Sequence, residues 1–320
     1  MDRTIDSVRS WWKRSDLVHR LIAVNVFVFI LLWLVRFFTS LFGTWRLVPE
    51  LWLACYPYFH DLVSHPWGIL TYMFVHADVW HLLFNMLWLF WLGQLFLHYH
   101  GHRRLLAVYL SGGVVAGLFY ILIFNLLNTA GVYMLGAPVI GASGAVMAVV
   151  FGIAFYAKWE RVNLFFLGAV RIPYLALGML VLDLLLLGTD GNLGGHLAHI
   201  GGALYGYLFA SLSIRKHRDI TESVQRFIDW LVDTWGILTD RRKRVNRRIK
   251  RRAEEVQRQR NVKKETGSAK QGADTSQTSP LEAELRQERI DRILDKIRQS
   301  GYASLTSEEK KELFEQSRKL

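Results

Sequence analysis

A serine set among glycines and a histidine on a glycine-lined stretch are the residues here best equipped for chemistry. Ser143 stands in Gly141-Ala142-Ser143-Gly144-Ala145 at the start of an apolar run. Small neighbours let a second backbone approach, and the first N–H groups of a helix starting there have no intrahelical partner. A hydroxyl beside free N–H donors is what acyl transfer through an oxyanion requires. Taken alone, the same residues also read as ordinary small-residue packing between membrane helices. His199 stands in Ala198-His199-Ile200-Gly201-Gly202, with Gly206 further on. Gly202 and Gly206 form a small-xxx-small face able to press on a glycine-bearing helix. An imidazole on that face, with an ordinary pKa of about 6.5, suits a general base. His81 and Asn85, four apart, share one helix face and can both donate to a developing oxyanion; an interhelical polar clamp is the other reading. His76 is expected to be structural.

These residues need elements that bring them to one place, and the composition says where. Of 320 residues 52% are hydrophobic, and the mean hydropathy of +0.18 argues against an ordinary soluble enzyme. Residues 1–213 carry 12 Lys and Arg against 9 Asp and Glu, while 214–320 carry 27 against 18, so two different materials join near residue 213. Six stretches approach the roughly 20 apolar residues that cross a bilayer: 21–42, 80–98, 104–127, 141–157, 173–188 and 194–213. Basic residues favour the cytoplasmic side. Arg3, Arg9, Lys13, Arg14 and Arg20 precede the first stretch, Arg103 and Arg104 join the second and third, Lys158, Arg161 and Arg171 join the fourth and fifth, and Arg215, Lys216 and Arg218 follow the sixth. The alternate connections hold only Arg46, with Glu50, Asp61, Asp78 and Asp190. The chain is therefore expected to be an all-α polytopic protein of a bacterial cell (inner) membrane, with both termini cytoplasmic. Its first span is read as retained, because the apolar run is too long for a signal peptide and no small-residue cleavage site follows it. The lone Cys55 excludes an intramolecular disulfide. The aromatic connection 43–79 suits a segment lying at the outer interface, with a small extracellular lid as the alternative.

In this topology the second, fourth and sixth spans start at the outer face. His81, Asn85, Ser143 and His199 then share one shallow depth. Two facing glycine-rich helices, one with serine and one with histidine, make catalysis the better reading. A transporter would instead line a route through the bilayer with its polar residues.

The three motifs, His76-x4-His81-x3-Asn85, Gly141-Ala142-Ser143-Gly144 and Ala198-His199-x2-Gly202-x3-Gly206, resemble those of the rhomboid intramembrane serine proteases in the family's order, over about residues 20–213. The resemblance implies a serine–histidine dyad without an acid: Ser143 as nucleophile and His199 as base, with the Ser143 N–H, His81 and Asn85 as oxyanion donors. His76, Gly141, Gly144, Gly202 and Gly206 would be structural. The implied substrates are transmembrane proteins cut near the outer face, with no cofactor. Two positions depart from the family pattern. Met147 stands where many members carry an aromatic under the histidine, and Trp67-Gly68 replaces a Trp-Arg pair, putting geometry and loop stability in question. A non-catalytic relative that binds transmembrane helices is the rival reading.

Three further groups invite a role. His196 and His199 could share a metal, but no third ligand is evident and no metal site is expected; His196 is read as a hydrogen bonder near the dyad or a helix cap. Asp183 could orient His199 as a third triad member, with a buried hydrogen bond or a pore-facing position as the stronger reading. Arg36 is read as snorkelling to the interface. The domains expected are 1–20, an N-terminal segment; 21–213, the membrane domain; 214–260, a basic amphipathic segment; 261–280, a flexible linker; and 281–320, a small helical tail with a capped start within Ser304–Glu309. The run at 241–252, with nine basic residues in twelve, is expected to bind anionic lipid rather than nucleic acid. Oligomeric state is not legible.

Overall fold

A computed structural model describes residues 2–42, 48–132, 136–164, 168–187, 191–239, 289–297 and 305–317. Residues 1–229 form one unit and 230–320 another. The first unit opens with α1 (Asp2–Arg14) and α2 (Leu17–Leu41). Asp16 caps α2, its carboxylate accepting the His19 N–H at 3.0 Å and the Gln94 amide at 2.8 Å. Phe27, Ile30, Trp33 and Phe37 of α2 are exposed, as expected of a helix apolar on nearly every side that faces lipid.

Short helices α3 (Pro49–Leu53), α4 (Phe59–Ser64) and α5 (Gly68–Thr71), then a 3₁₀ turn at Tyr72–Phe74, form the connection. Next comes α6 (Val79–Thr129), broken at Gly101, whose φ of 76° and ψ of 174° are not helical. A non-glycine residue resists that conformation. The chain reverses there. Phe96, late in the first limb, stacks on Phe209, and Arg104 pairs with Asp219 at 2.8 Å, whereas Tyr120 of the second limb donates to the Ala137 carbonyl just before Ser143. The apolar stretches 80–98 and 104–127 fall on these two limbs.

The almost wholly buried α7 (Ser143–Tyr156) follows, then α8 (Ile172–Leu186), α9 (Leu193–Lys216) and α10 (Glu222–Thr239). Between α7 and α8 the all-α expectation needs correction. Strands β1 (Arg161–Leu164) and β2 (Gly168–Arg171) pair antiparallel, with Val162 opposite Val170. A β-branched residue in each strand and a positive φ at Gly168 favour a hairpin over a helical link. Among the described residues three helices could cross a membrane by length and composition, Leu17–Leu41, Val79–Thr129 and Leu193–Arg215, while α7 and α8 are shorter.

Lipid gives helices little hydrophobic reason to associate, so close packing and polar contacts carry the bundle. A Cβ on Gly202 would lie 2.1 Å from the Gly144 carbonyl oxygen, and one on Gly206 2.3 Å from that of Ala148. The glycines of α9 thus lie directly on the α7 backbone, as the small-xxx-small spacing predicts. Asn25 donates to the Tyr109 hydroxyl at 3.3 Å, the Ser111 and Tyr205 hydroxyls lie 2.6 Å apart, and Tyr72 donates to the Gly113 carbonyl at 2.8 Å. Each such contact is worth about 0.6–2 kcal/mol.

In the second unit, residues 289–297 form helix α11 and Ser307–Ser317 form α12. Thr306 and Glu309 cap α12 reciprocally, at 2.8 and 3.3 Å, placing the expected cap at Thr306. Lys296 reaches Glu309 at 2.7 Å. The basic run 241–252 and the linker 261–280 lie outside the described residues, as do Trp45, Arg46 and Asp190.

Candidate active site

Ser143 is the first residue of α7, and the chain enters it through a loop pinned on both sides. Cys55 and Val139 exchange backbone hydrogen bonds at 2.9 and 2.8 Å, tying the α3–α4 connection to the segment before α7. Gly141 donates to the Tyr72 carbonyl at 2.9 Å, and the Ala142 N–H points to His76 Nε2 at 3.5 Å. His76 is buried against this loop. Gly141 has φ of 131°, a conformation L side chains rarely adopt. A Cβ there would lie 2.7 Å from both Cε1 and Nε2 of His81 and 3.5 Å from Ser143 Oγ. The bare glycine thus lets the His81 ring and the serine hydroxyl flank one point. A Cβ on Gly144 would lie 2.7 Å from the Ala116 Cβ and 3.2 Å from the Tyr72 hydroxyl, so α7 starts against both.

His81 and Asn85 occupy the first turns of α6, which Asp78 caps by accepting the His81 N–H at 2.9 Å. The Asn85 amide donates back to the His81 carbonyl at 2.8 Å, and the His76 and His81 rings meet edge-on at 5.1 Å. A cavity of about 470 Å³ opens here, lined by Ser143, His199, His81 and Asn85 together with Met147, Met179, Phe84, Trp88 and Asn192. The four residues read from the sequence as sharing one depth therefore share one cavity. Met147, a thioether where the resembled family often carries an aromatic, is buried beside them.

His199 is the seventh residue of α9. Its Nδ1 lies 2.8 Å from Asp183 Oδ1, and His196 Nδ1 lies 2.7 Å from the same oxygen. Asp183 and His196 are buried and His199 is partly so. Of the readings open for Asp183, the structure shows the buried hydrogen bond, made to both histidines. The signal was present in the sequence as an acid within an apolar span and two histidines three apart, but the pairing of α8 with α9 was needed to connect them. With Nδ1–H given to a carboxylate, a neutral His199 offers Nε2 as its acceptor.

Asp183 is also the third ligand the His196–His199 pair lacked in the sequence reading. Their ligand atoms lie within 4.8 Å of one another. Both imidazoles turn Nδ1 to one oxygen at hydrogen-bond distance, however, and a zinc ion held at about 2.0–2.1 Å would replace both protons.

The Trp67-Gly68 departure has a steric cause. A Cβ on Gly68 would lie 2.4 Å from the Ala54 carbonyl oxygen, leaving no room for an arginine, and Trp67 stacks on Trp52 at 5.3 Å while donating to its carbonyl.

Residues 63–216 match the family model of the rhomboid domain, and 282–319 match a family of unknown function (DUF6576). The chain is 27% identical over 223 residues to the human presenilin-associated rhomboid-like protein, mitochondrial, covering 64% of this chain and 51% of that protein. It is 26% identical over 222 residues to yeast Rhomboid protein 1, mitochondrial, covering 64% and 56%. RHOMBOID-like protein 12, mitochondrial, of Arabidopsis thaliana is 30% identical over 162 residues, 47% of each chain. The chain thus spans about half the length of the curated relatives it matches. Their names correct the expected location: each is that of a mitochondrial protein, which overturns the assignment to a bacterial cell membrane.

Proposed function

Since this chain belongs to the rhomboid family, we propose that it is an intramembrane serine endopeptidase that cleaves transmembrane segments of other membrane proteins. The observation that carries the reading is the single cavity lined by Ser143, His199, His81 and Asn85. Six spans hold it, α6 crossing twice about Gly101, with the cavity toward one face of the membrane. Ser143 Oγ attacks the scissile carbonyl carbon while His199 Nε2 takes its proton. The carbonyl electron pair moves to oxygen, which is held by the Ser143 N–H, His81 and Asn85. Collapse breaks the C–N bond, and His199 returns the proton to the leaving amine. Water then repeats the sequence on the acyl-enzyme. The basic segment 241–252 would hold the tail to anionic lipid. The regions 1–20, 21–213, 214–260, 261–280 and 281–320 would act as the separate parts their compositions suggest.

A relative that only binds transmembrane helices is the second reading. A serine-reactive fluorophosphonate separates the two. The proposal expects covalent labelling mapped to Ser143 and abolished in His199→Ala. Absence of labelling in folded wild type would favour the helix binder.

A further inference from the structure

Basic residues gather at the end of α7 away from Ser143, and only some of them have partners. At the turn of α6, Arg103 pairs with Asp229 at 3.4 Å and Arg104 with Asp219 at 2.8 Å. The link from α7 to α8 carries Lys158, Arg161 and Arg171 with one acid, Glu160. The Glu160 carboxylate accepts the Tyr99 hydroxyl of α6 at 2.5 Å. Among the described residues no carboxylate pairs with the three cations of this link. Arg161 and Arg171 are ladder partners in the β1–β2 hairpin, so both side chains leave one face of it, and like charges placed directly opposite oppose folding. Lys158 Nζ and Arg171 Cζ lie over the Trp159 ring, 5.2 and 5.3 Å from its centroid, and Trp159 is 70% exposed. Helix α8 follows Arg171 directly and has no acid in its first turn. We propose that Lys158, Arg161 and Arg171 form a site for the headgroup phosphate of an anionic phospholipid. This rests on α7 and α8 being membrane helices, and not on the catalytic assignment.

An anion set between Arg161 and Arg171 turns their repulsion into charge-assisted hydrogen bonds. The planar guanidinium fork matches two phosphate oxygens, and Lys158 adds a point charge. Trp159 gathers Lys158 and Arg171 by cation–π attraction, and its exposed ring suits the headgroup level where indoles collect. The neighbouring surface decides between a lipid and a free phosphate. Tyr174, Leu177 and Val181 follow Arg171 at three- and four-residue spacing, which places them on one face of α8, and all three are exposed. An acyl chain can lie along that stripe while its headgroup rests on the hairpin. Free phosphate has no use for such a stripe. Arg103 and Arg104 stand apart from the site because the acids Asp229 and Asp219 already meet their charges.

The test uses the full chain in detergent with a trace of phosphatidylglycerol bearing a photoreactive acyl chain, and adducts are mapped by mass spectrometry. Labelling is expected on α8 about Tyr174–Val181, and its absence there overturns the site. Unlabelled phosphatidylglycerol should displace the probe at a concentration at least about 10-fold lower than phosphatidylcholine of the same chains, each headgroup charge contact being worth about fivefold. Equal displacement by the two lipids would make α8 an ordinary lipid-facing surface. Displacement by inorganic phosphate as effective as by phosphatidylglycerol would make it a free-anion site, and either result refutes the proposal. Arg161→Gln/Arg171→Gln should raise the phosphatidylglycerol midpoint by about 25-fold and leave that of phosphatidylcholine unchanged. The charge-matched control Arg9→Gln/Arg14→Gln should change neither, and an equal shift in the control would reduce the effect to net charge and overturn the site. Thermal unfolding separates binding from a structural role. Without lipid the hairpin double variant should melt at or above the wild-type Tm, because a like-charge pair is gone, and with phosphatidylglycerol the order should reverse. A lower Tm under both conditions makes the arginines structural and refutes the proposal. Should the double variant fail to fold, Lys158→Gln, outside the ladder, decides: a shift of about fivefold is expected, and none overturns the site.

Discussion

Replacing Gly202 with alanine adds one methyl group where α9 lies on α7, and the consequence can be worked out before the experiment. The new Cβ would sit 2.1 Å from the Gly144 carbonyl oxygen, 3.0 Å from its carbon and 3.3 Å from its Cα, all backbone atoms with no rotamer to yield. Ordinary contact begins near 3.4 Å, so the helices must part by about 1.3 Å. Overpacking of this kind costs about 1–3 kcal/mol. The larger effect is on geometry, because Gly144 follows Ser143 and Gly202 lies one turn beyond His199. A displacement of about 1 Å between reacting groups costs on the order of 10²-fold in rate. The assay is kcat for substrate cleavage with Tm in the same detergent, and Gly178→Ala is the control. Gly178 is also on a helix, but a Cβ there meets nothing within 4 Å, so alanine should leave activity intact and raise stability by about 0.5–1 kcal/mol. Wild-type kcat and Tm in Gly202→Ala would refute the claim that bare backbone contact between α7 and α9 sets the dyad.

Gly141→Ala combines an unfavourable φ of 131° with a Cβ 2.7 Å from the His81 ring, and kcat should fall by about 10²-fold; full activity would contradict the loop geometry. Gly68→Arg, which restores the pair common in the family, should destabilise the connection by about 1–3 kcal/mol and alter the fluorescence of the stacked Trp52 and Trp67, whereas an unchanged Tm would contradict the clash with Ala54. Asp16, outside the spans, has its carboxyl lowered from 3.8 to about 2: burial pushes it up, but the Gln94 amide and the His19 N–H and ring outweigh this. Its folded pKa lies below the unfolded value, so its stabilisation is complete above about pH 4 and fades as pH falls toward 2. Asp16→Ala should lose about 1 kcal/mol at neutral pH and show a shallower acid fall in Tm; parallel acid profiles would contradict the capping role.

Much of the membrane domain was legible because bilayer chemistry leaves few choices. Long apolar runs must be helical, and glycines at spacing four mark close contacts, so Gly202 and Gly206 announced the face that meets α7. The motif residues Ser143, His199, His81 and Asn85, picked out by residue type and spacing, line one cavity. What the sequence concealed depends on contacts between distant segments. The bond from Asp183 to His199 needs α8 beside α9. The clash at Gly68 involves Ala54, and a one-dimensional reading could mark the departure from the family pattern but not its cause. The β1–β2 hairpin hid in a short connection whose charges served to orient the chain. The location was misread because neither charge nor apolar length distinguishes one membrane from another.

The central claim is that Ser143 and His199 together hydrolyse a peptide bond in a transmembrane segment. Its most direct test is cleavage of a labelled single-span substrate panel in liposomes by wild type, Ser143→Ala and His199→Ala, with products mapped by mass spectrometry. The account predicts one defined cut near the end of the transmembrane helix with wild type and none with either variant. Equal cleavage by Ser143→Ala would contradict it.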